Sequence, residues 1–256
     1  MPVTLPTQAS KPVTEMGQQT ILLYGFPKCG KSSMSAQFPS AIFFECEPGL
    51  NHLEVFKIPT YSWEDFLDAC KQIASGDHQF KTIVIDTVDN AFKMCSEHVC
   101  SKHGIEYEGD MPHGKGWGLV KNEWHRVLTR LASLPYGLIL ISHAMDKTIE
   151  TRTGQYTKTQ PSLPDRARNV VLGLVDIILY GDCVVRKDAS GNVNIERVLR
   201  TKPHPTYEAG DRTGRLPESL PFEYDAFVKA FNSQASGQQT GADQKAKSSQ
   251  PASTLK

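Results

Sequence analysis

Eight consecutive residues, Gly25-Phe26-Pro27-Lys28-Cys29-Gly30-Lys31-Ser32, set two glycines five positions apart and follow the second with a lysine and a hydroxyl. Gly25 and Gly30 let a backbone turn tightly and come close to a phosphate, while successive amide N–H groups can surround a β-phosphate. Lys31 supplies a cation that can bridge β- and γ-phosphates, and Ser32, with Ser33 beside it, supplies a hydroxyl for Mg²⁺. The spacing G-x-x-x-x-G-K-S is that of a phosphate-binding loop, and its flanks agree: Thr20 to Tyr24 reads as a strand and Ser33 to Phe38 as a helix opening. At an average glycine usage of about 7%, the four fixed positions arise by chance in roughly one chain in a hundred of this length. The expected ligand is ATP with Mg²⁺, held by residues Gly25 to Ser33.

Further groups belong to the same chemistry. Thr82-Ile-Val-Ile-Asp86 is an apolar run that closes on an acid, so Asp86 is expected at a strand's carboxyl end, where open α/β sheets bind ligands, to hold Mg²⁺ with Ser32 or through water. Hydrolysis needs a group that polarises water. Glu45 and Glu47 follow the run Ala41 to Phe44 and share a side if that strand continues. A solvated pair at a strand end is the plainer alternative. Leu138 to Ser142 ends at His143, and either Ser142 or His143 is placed to sense a γ-phosphate if this strand lies beside that of Asp86.

The elements that must position these groups are legible in the pattern. Apolar runs at Thr20–Tyr24, Ala41–Glu45, Thr82–Asp86, Gly137–Ser142 and Leu174–Tyr180 alternate with amphipathic segments, as in a mostly parallel sheet covered by helices. Trp63, Phe66, Leu67, Cys70 and Ile73 share one helical face, as do Val120, Trp124, Val127, Leu128, Leu131 and Leu134. Cys183–Lys187 and Val193–Thr201 flank a turn-rich link and predict a terminal hairpin. Residues 1–18 read as a flexible arm, residues 19–231 as one α/β domain, and residues 232–256 as a polar tail too poor in apolar surface to order.

The chain has 256 residues with 28 basic and 28 acidic side chains, so any basic site must be local. No secretory segment is expected, and the apolar stretch Val170–Tyr180 is shorter than the roughly 20 residues of a membrane span. Six cysteines without a C-x-x-C pair fit reduced thiols in a cytoplasmic protein. Cys95, His98, Cys100 and His103 have the composition of zinc ligands, but at about 100° per residue of a helix they diverge. Core or surface roles are the reading of those four.

Together these features resemble the RecA-like branch of P-loop ATPases. Phe43-Phe-Glu-Cys-Glu47 is similar to that branch's strand with a water-activating glutamate, which implies Glu47 rather than Glu45 as the catalytic residue. The branch carries a glutamine after the fourth strand, where this chain has His143. The short loop with its second serine, the Glu47-Pro-Gly-Leu50 stretch, Gly116-Trp117-Gly118 and Ile141-Ser-His143 resemble phage ATP-binding proteins of the Sak group over roughly residues 18–230. That resemblance implies single-stranded DNA as partner, a role in annealing and recombination in the host cytoplasm, and a single-strand-binding protein as a further partner. It also implies self-association into rings or filaments in which a neighbour lends a positive charge, with Lys202, Arg200 or Arg212 as candidates. The segment Ala144–Pro164 occupies the place of the DNA loop, with Lys147, Arg152, Lys158 and Tyr156 as its contacts; a mobile lid is the alternative. A small-molecule P-loop kinase and an ATP-switched scaffold without turnover are the rival functions.

Overall fold

The computed structural model describes residues 5–10, 13, 15–152, 154–187 and 191–233. Most of the polar tail, part of the N-terminal arm and the tip of the terminal hairpin lie outside them. In chain order the elements are β1 (Thr20–Gly25), α1 (Lys31–Ser35), β2 (Ala41–Glu45), β3 (Phe56–Pro59), α2 (Trp63–Ser75), β4 (Thr82–Asp86), α3 (Val88–Lys102) and α4 (Lys115–Ala132). They continue as β5 (Gly137–Thr151), β6 (Gly154–Pro161), α5 (Asp165–Leu174), β7 (Ile177–Lys187), β8 (Val193–Arg200), β9 (Gly210–Asp211), β10 (Ser219–Pro221) and α6 (Tyr224–Ser233).

Five parallel pairings build the sheet, in the order β10-β8-β7-β1-β5-β4-β2-β3, with β6 pairing β5 and β9 pairing β7. Strands β1, β2 and β4 are buried along their whole length, as their unbroken apolar runs require of strands covered on both faces. Alternation divides β1 between two cores: Leu22 packs with α2 to α5, whereas Ile21 and Leu23 pack with Met34 and Phe38 and with Phe227 and Phe231 of α6. The first core is aromatic, with Trp63 stacked on Phe66 at 4.9 Å and tilted toward Trp124 at 6.1 Å. Helix α2 starts on a capping box, since Ser62 Oγ accepts from Asp65 N–H and the Asp65 carboxylate accepts from Ser62 N–H. Cys95 is enclosed in the first core, while His98 turns outward to Glu64.

The mostly parallel sheet with flanking helices and a terminal β-hairpin is the architecture expected from the run pattern. Three local expectations are corrected. The segment after His143 is not a loop: β5 passes through it to Thr151 and β6 returns antiparallel, from Thr151 opposite Gly154 to Ala144 opposite Pro161. The loop expectation comes from the resemblance, whereas Thr148, Ile149, Thr151, Tyr156, Thr157 and Thr159 are residue types that favour a pleated pair. The helix after the phosphate loop ends at Ser35, short of Phe38. Leu174 closes α5, and the strand begins only at Ile177, after Val175 turns to extended backbone.

Candidate functional site

The phosphate loop leaves the sheet at its centre. Gly25 stands level with His143 on β5 and Gly181 on β7, so both neighbouring strands border the loop. A Cβ at Gly25 would lie 2.9 Å from Cys29 Sγ and from Gly181 O, which leaves no space for a side chain. Gly30 has φ 103°, in the left-handed region that favours glycine. Phe26, Pro27 and Lys28 are exposed, whereas Cys29 and Lys31 are buried. Lys31 Nζ donates to the carbonyls of Gly25 at 2.9 Å and Phe26 at 3.1 Å. Its charge is thereby held inside the loop curve, against carbonyls that phosphate oxygens can replace.

Ser32 Oγ donates to Asp86 Oδ2 at 2.6 Å. Burial pushes the Asp86 carboxyl up from its ordinary value, with the Ser32 bond countering it in part. A hydroxyl and a carboxylate in contact form a hard-oxygen pair of the kind Mg²⁺ accepts, and an added cation would offset the desolvation of Asp86. The residues present therefore fit a magnesium ion, and Ser32 and Asp86 would hold it.

The two glutamates part company. Strand β2 ends at Glu45, ahead of Pro48-Gly49, so the shared side expected for Glu45 and Glu47 does not form. Glu45 is buried against Lys57 Nζ at 2.8 Å and accepts from Tyr61 OH at 3.4 Å, both on or after β3. Glu47 swings to the sheet's carboxyl edge, where its Oε1 meets His143 Nε2 at 3.1 Å and its Oε2 accepts from Asn90 Nδ2 at 2.5 Å. The His143 hydrogen bond holds the Glu47 carboxyl below the usual range, and the same bond raises the imidazole. The charge of Lys31 reaches Asp86, Glu47 and His143, and those of Glu47 and His143 reach Asp86.

Asp89 and Asn90 escaped the sequence reading. They fill the first turn of α3, directly after the Asp86 strand, a position that could have flagged them because that turn must sit on the carboxyl edge. Asp89 accepts from Ser142 Oγ at 3.0 Å and His143 N–H at 3.2 Å and also from Ser162 Oγ, tying the two ends of the β5–β6 hairpin to α3.

The predicted basic residues are scattered. Lys147 pairs with Asp165 at 3.1 Å and Lys158 with Glu208 at 2.6 Å, while Arg152 and Tyr156 are exposed toward the hairpin's end. Arg200 meets Asp182 at 3.1 Å, and Lys202 meets Asp211 at 3.2 Å. Asp211 pairs with Ile177, and Arg212 N–H donates to Asp176 O, so Lys202 and Arg212 lie toward the amino ends of the strands, away from their own chain's phosphate loop. A basic residue that does reach the loop is Arg197, whose Nη1 donates to Cys29 O at 3.3 Å. Nothing in its local sequence marks it; the β7–β8 register brings it there.

Known proteins share parts of this arrangement. The model of a family described as AAA domain matches residues 17–213. The SPbeta prophage-derived uncharacterized protein YorG of Bacillus subtilis (strain 168) is 28% identical over 168 residues, which are 63% of this chain and 50% of YorG. The chain thus spans about half the length of that curated relative. A KaiC-like protein of the hyperthermophilic archaeon Pyrococcus horikoshii OT3 superposes with a TM-score of 0.46 at 13% identity, covering 81% of this chain and 86% of that one. Among the described residues, no helix is long and apolar enough to cross a membrane.

Proposed function

Because the chain belongs to the AAA domain family of P-loop NTPases, we propose that it binds Mg-ATP at Gly25 to Ser33 and hydrolyses it while bound to single-stranded DNA. The observation that carries turnover is the posture of Glu47, a carboxylate kept ionised by His143 at the mouth of the phosphate loop. Lys31 Nζ leaves the Gly25 and Phe26 carbonyls and donates instead to the β- and γ-phosphates. Magnesium, when bound by Ser32 and Asp86, neutralises phosphate charge. Glu47 orients a water and takes its proton as the oxygen adds to the γ-phosphorus and the bond to the bridging oxygen breaks, leaving ADP and phosphate. His143, through the Nε2 bond to Glu47, keeps that carboxylate charged and aimed as it takes the proton.

The DNA reading is supported by continuity. Strand β5 runs from His143, which touches Glu47, straight into the hairpin that carries Lys147, Arg152, Tyr156 and Lys158. A strand bound along that hairpin would be felt at the γ-phosphate through one rigid element. The prophage origin of YorG is in keeping with a phage recombination protein working in host cytoplasm by annealing strands, assembled as a ring or filament and alongside a single-strand-binding protein.

Steady-state phosphate release, with and without an oligonucleotide, tests this reading. Stimulation by single-stranded DNA is the expected result. Binding of ATP with no release would leave a nucleotide-switched scaffold, and release that depends on a small phosphoryl acceptor would leave a kinase.

A further inference from the structure

Strands β5 and β7 flank β1, and both continue past the level of Gly25, so two hairpins rise on either side of the phosphate loop. The β7–β8 hairpin has no part in the chemistry above. Its register sets Cys183, Val185 and Lys187 opposite Arg197, Ile195 and Val193, and strand alternation puts these six side chains on one side. That side faces the loop. Arg197 Nη1 bonds Cys29 O at 3.3 Å, and a Cβ at Gly30 would lie 3.0 Å from the same nitrogen. Val185, Val193 and Ile195 are 65%, 58% and 71% exposed, a contiguous aliphatic surface beside a polar loop.

Sheet order supplies the direction. A γ-phosphate must point toward Asp86 and Glu47, which lie beyond β5, so the α-phosphate and the nucleoside leave on the opposite flank, toward β7. Gly181 is level with Gly25. Counting along β7, the Cys183–Arg197 row stands about 7 Å beyond that level and the Val185–Ile195 row about 13 Å. The guanidinium therefore meets the triphosphate's α end first and the aliphatic pair comes next. Arg197 spends one donor on Cys29 O, and a guanidinium has five.

We propose that this face of the β7–β8 hairpin is the nucleoside subsite of the ATP site, with the base resting on Val185 and Ile195 and Arg197 holding the α-phosphate. This rests on reading Gly25 to Ser33 as a nucleotide loop. A second copy of the chain is the less fitting occupant. Three aliphatic side chains offer far less than the roughly 800 Å² per partner that a stable protein contact buries, yet they suffice for one face of a base.

The test compares ATP with inorganic triphosphate as titrants of the full chain by calorimetry. Wild type should prefer ATP. Replacing Val185→Ser and Ile195→Ser together should weaken ATP by about tenfold or more, from lost apolar contact, and leave triphosphate affinity unchanged. Lys31→Ala should weaken both titrants. If the double variant binds ATP like wild type while Lys31→Ala loses both titrants, the nucleoside lies elsewhere and the loop reading survives. If Lys31→Ala changes neither, both ideas fall. A drop in oligomeric mass of the double variant by sedimentation, with the ATP preference retained, would make the face a subunit contact and overturn the proposal. Should the double variant fail to fold, Val185→Thr, nearly the same shape, permits the same comparison: weaker ATP with triphosphate unchanged supports the subsite, and unchanged ATP overturns it.

Discussion

At the residue scale the site is a set of charges with assigned partners. Glu47→Gln keeps the side-chain volume and removes the group that takes a proton. ATP should bind with near-normal affinity while turnover falls by on the order of 10²-fold or more. Glu45→Gln should leave turnover nearly intact, because Glu45 is bound to Lys57 and Tyr61; single-turnover assays of both variants, with opposite results, would reverse the assignment. The Glu47–His143 pair also has a pH signature. Glu47, with its folded pKa lowered, stabilises the fold above the ordinary carboxylate range and loses that contribution as pH falls through the lowered value. His143, with its folded pKa raised, contributes below the ordinary imidazole value and loses that contribution as pH rises through the raised one. The stability gap between wild type and His143→Gln should therefore be wider at about pH 5.5 than at about pH 9 in urea denaturation. A gap that is constant with pH would mean the pair is not ionic.

At the element scale the β5–β6 hairpin is the testable unit. Each phosphate neutralised by Lys or Arg releases counterions, at a log–log slope near −0.7 per contact on single strands. Lys147, Arg152 and Lys158 allow at most three such contacts, so the hairpin's share of the salt dependence should be no steeper than about −2 per subunit. Two of these cations already hold acids, Asp165 and Glu208, and must exchange them for phosphates, which lowers the net gain. Tyr156, 39% exposed, can add base stacking of roughly 1–3 kcal/mol. Neutralising the three cations together should weaken single-strand affinity and flatten the slope measured at two salt concentrations, with ATP affinity retained. Unchanged affinity and slope would reduce the hairpin to a lid.

At the scale of the whole molecule, Lys202 and Arg212 cannot serve their own loop, since they sit toward the amino ends of the strands. A role for Lys202 therefore needs a neighbouring copy, and release from Asp211. Lys202→Ala should lower turnover more than ATP binding, because a neighbour's charge acts mainly on the transition state. Mixing it with excess Lys31→Ala subunits should restore part of the activity, since a subunit with a dead site can still lend its Lys202. Loss in proportion to the mixture, with no interaction between variants, would indicate a monomeric site.

Residues that act through local chain geometry were readable in one dimension. The phosphate loop is contiguous, so glycine spacing, Lys31 and Ser32 specify it wherever the strand and helix around it form, and the apolar run before Asp86 placed that acid at a strand end without knowledge of its neighbours. The order of the sheet decided the rest. Glu45 and Glu47 differ by two positions, yet one meets Lys57 from β3 and the other meets His143 and Asn90 across the carboxyl edge. The end of β2 separates them, and period-two alternation has no meaning past a strand's last residue. Arg197 is 168 positions from Cys29, and only the pairing of β8 with β7, and of β7 with β1, brings it to the loop. Contacts of that separation depend on register between strands, a property of the folded sheet that no single segment encodes.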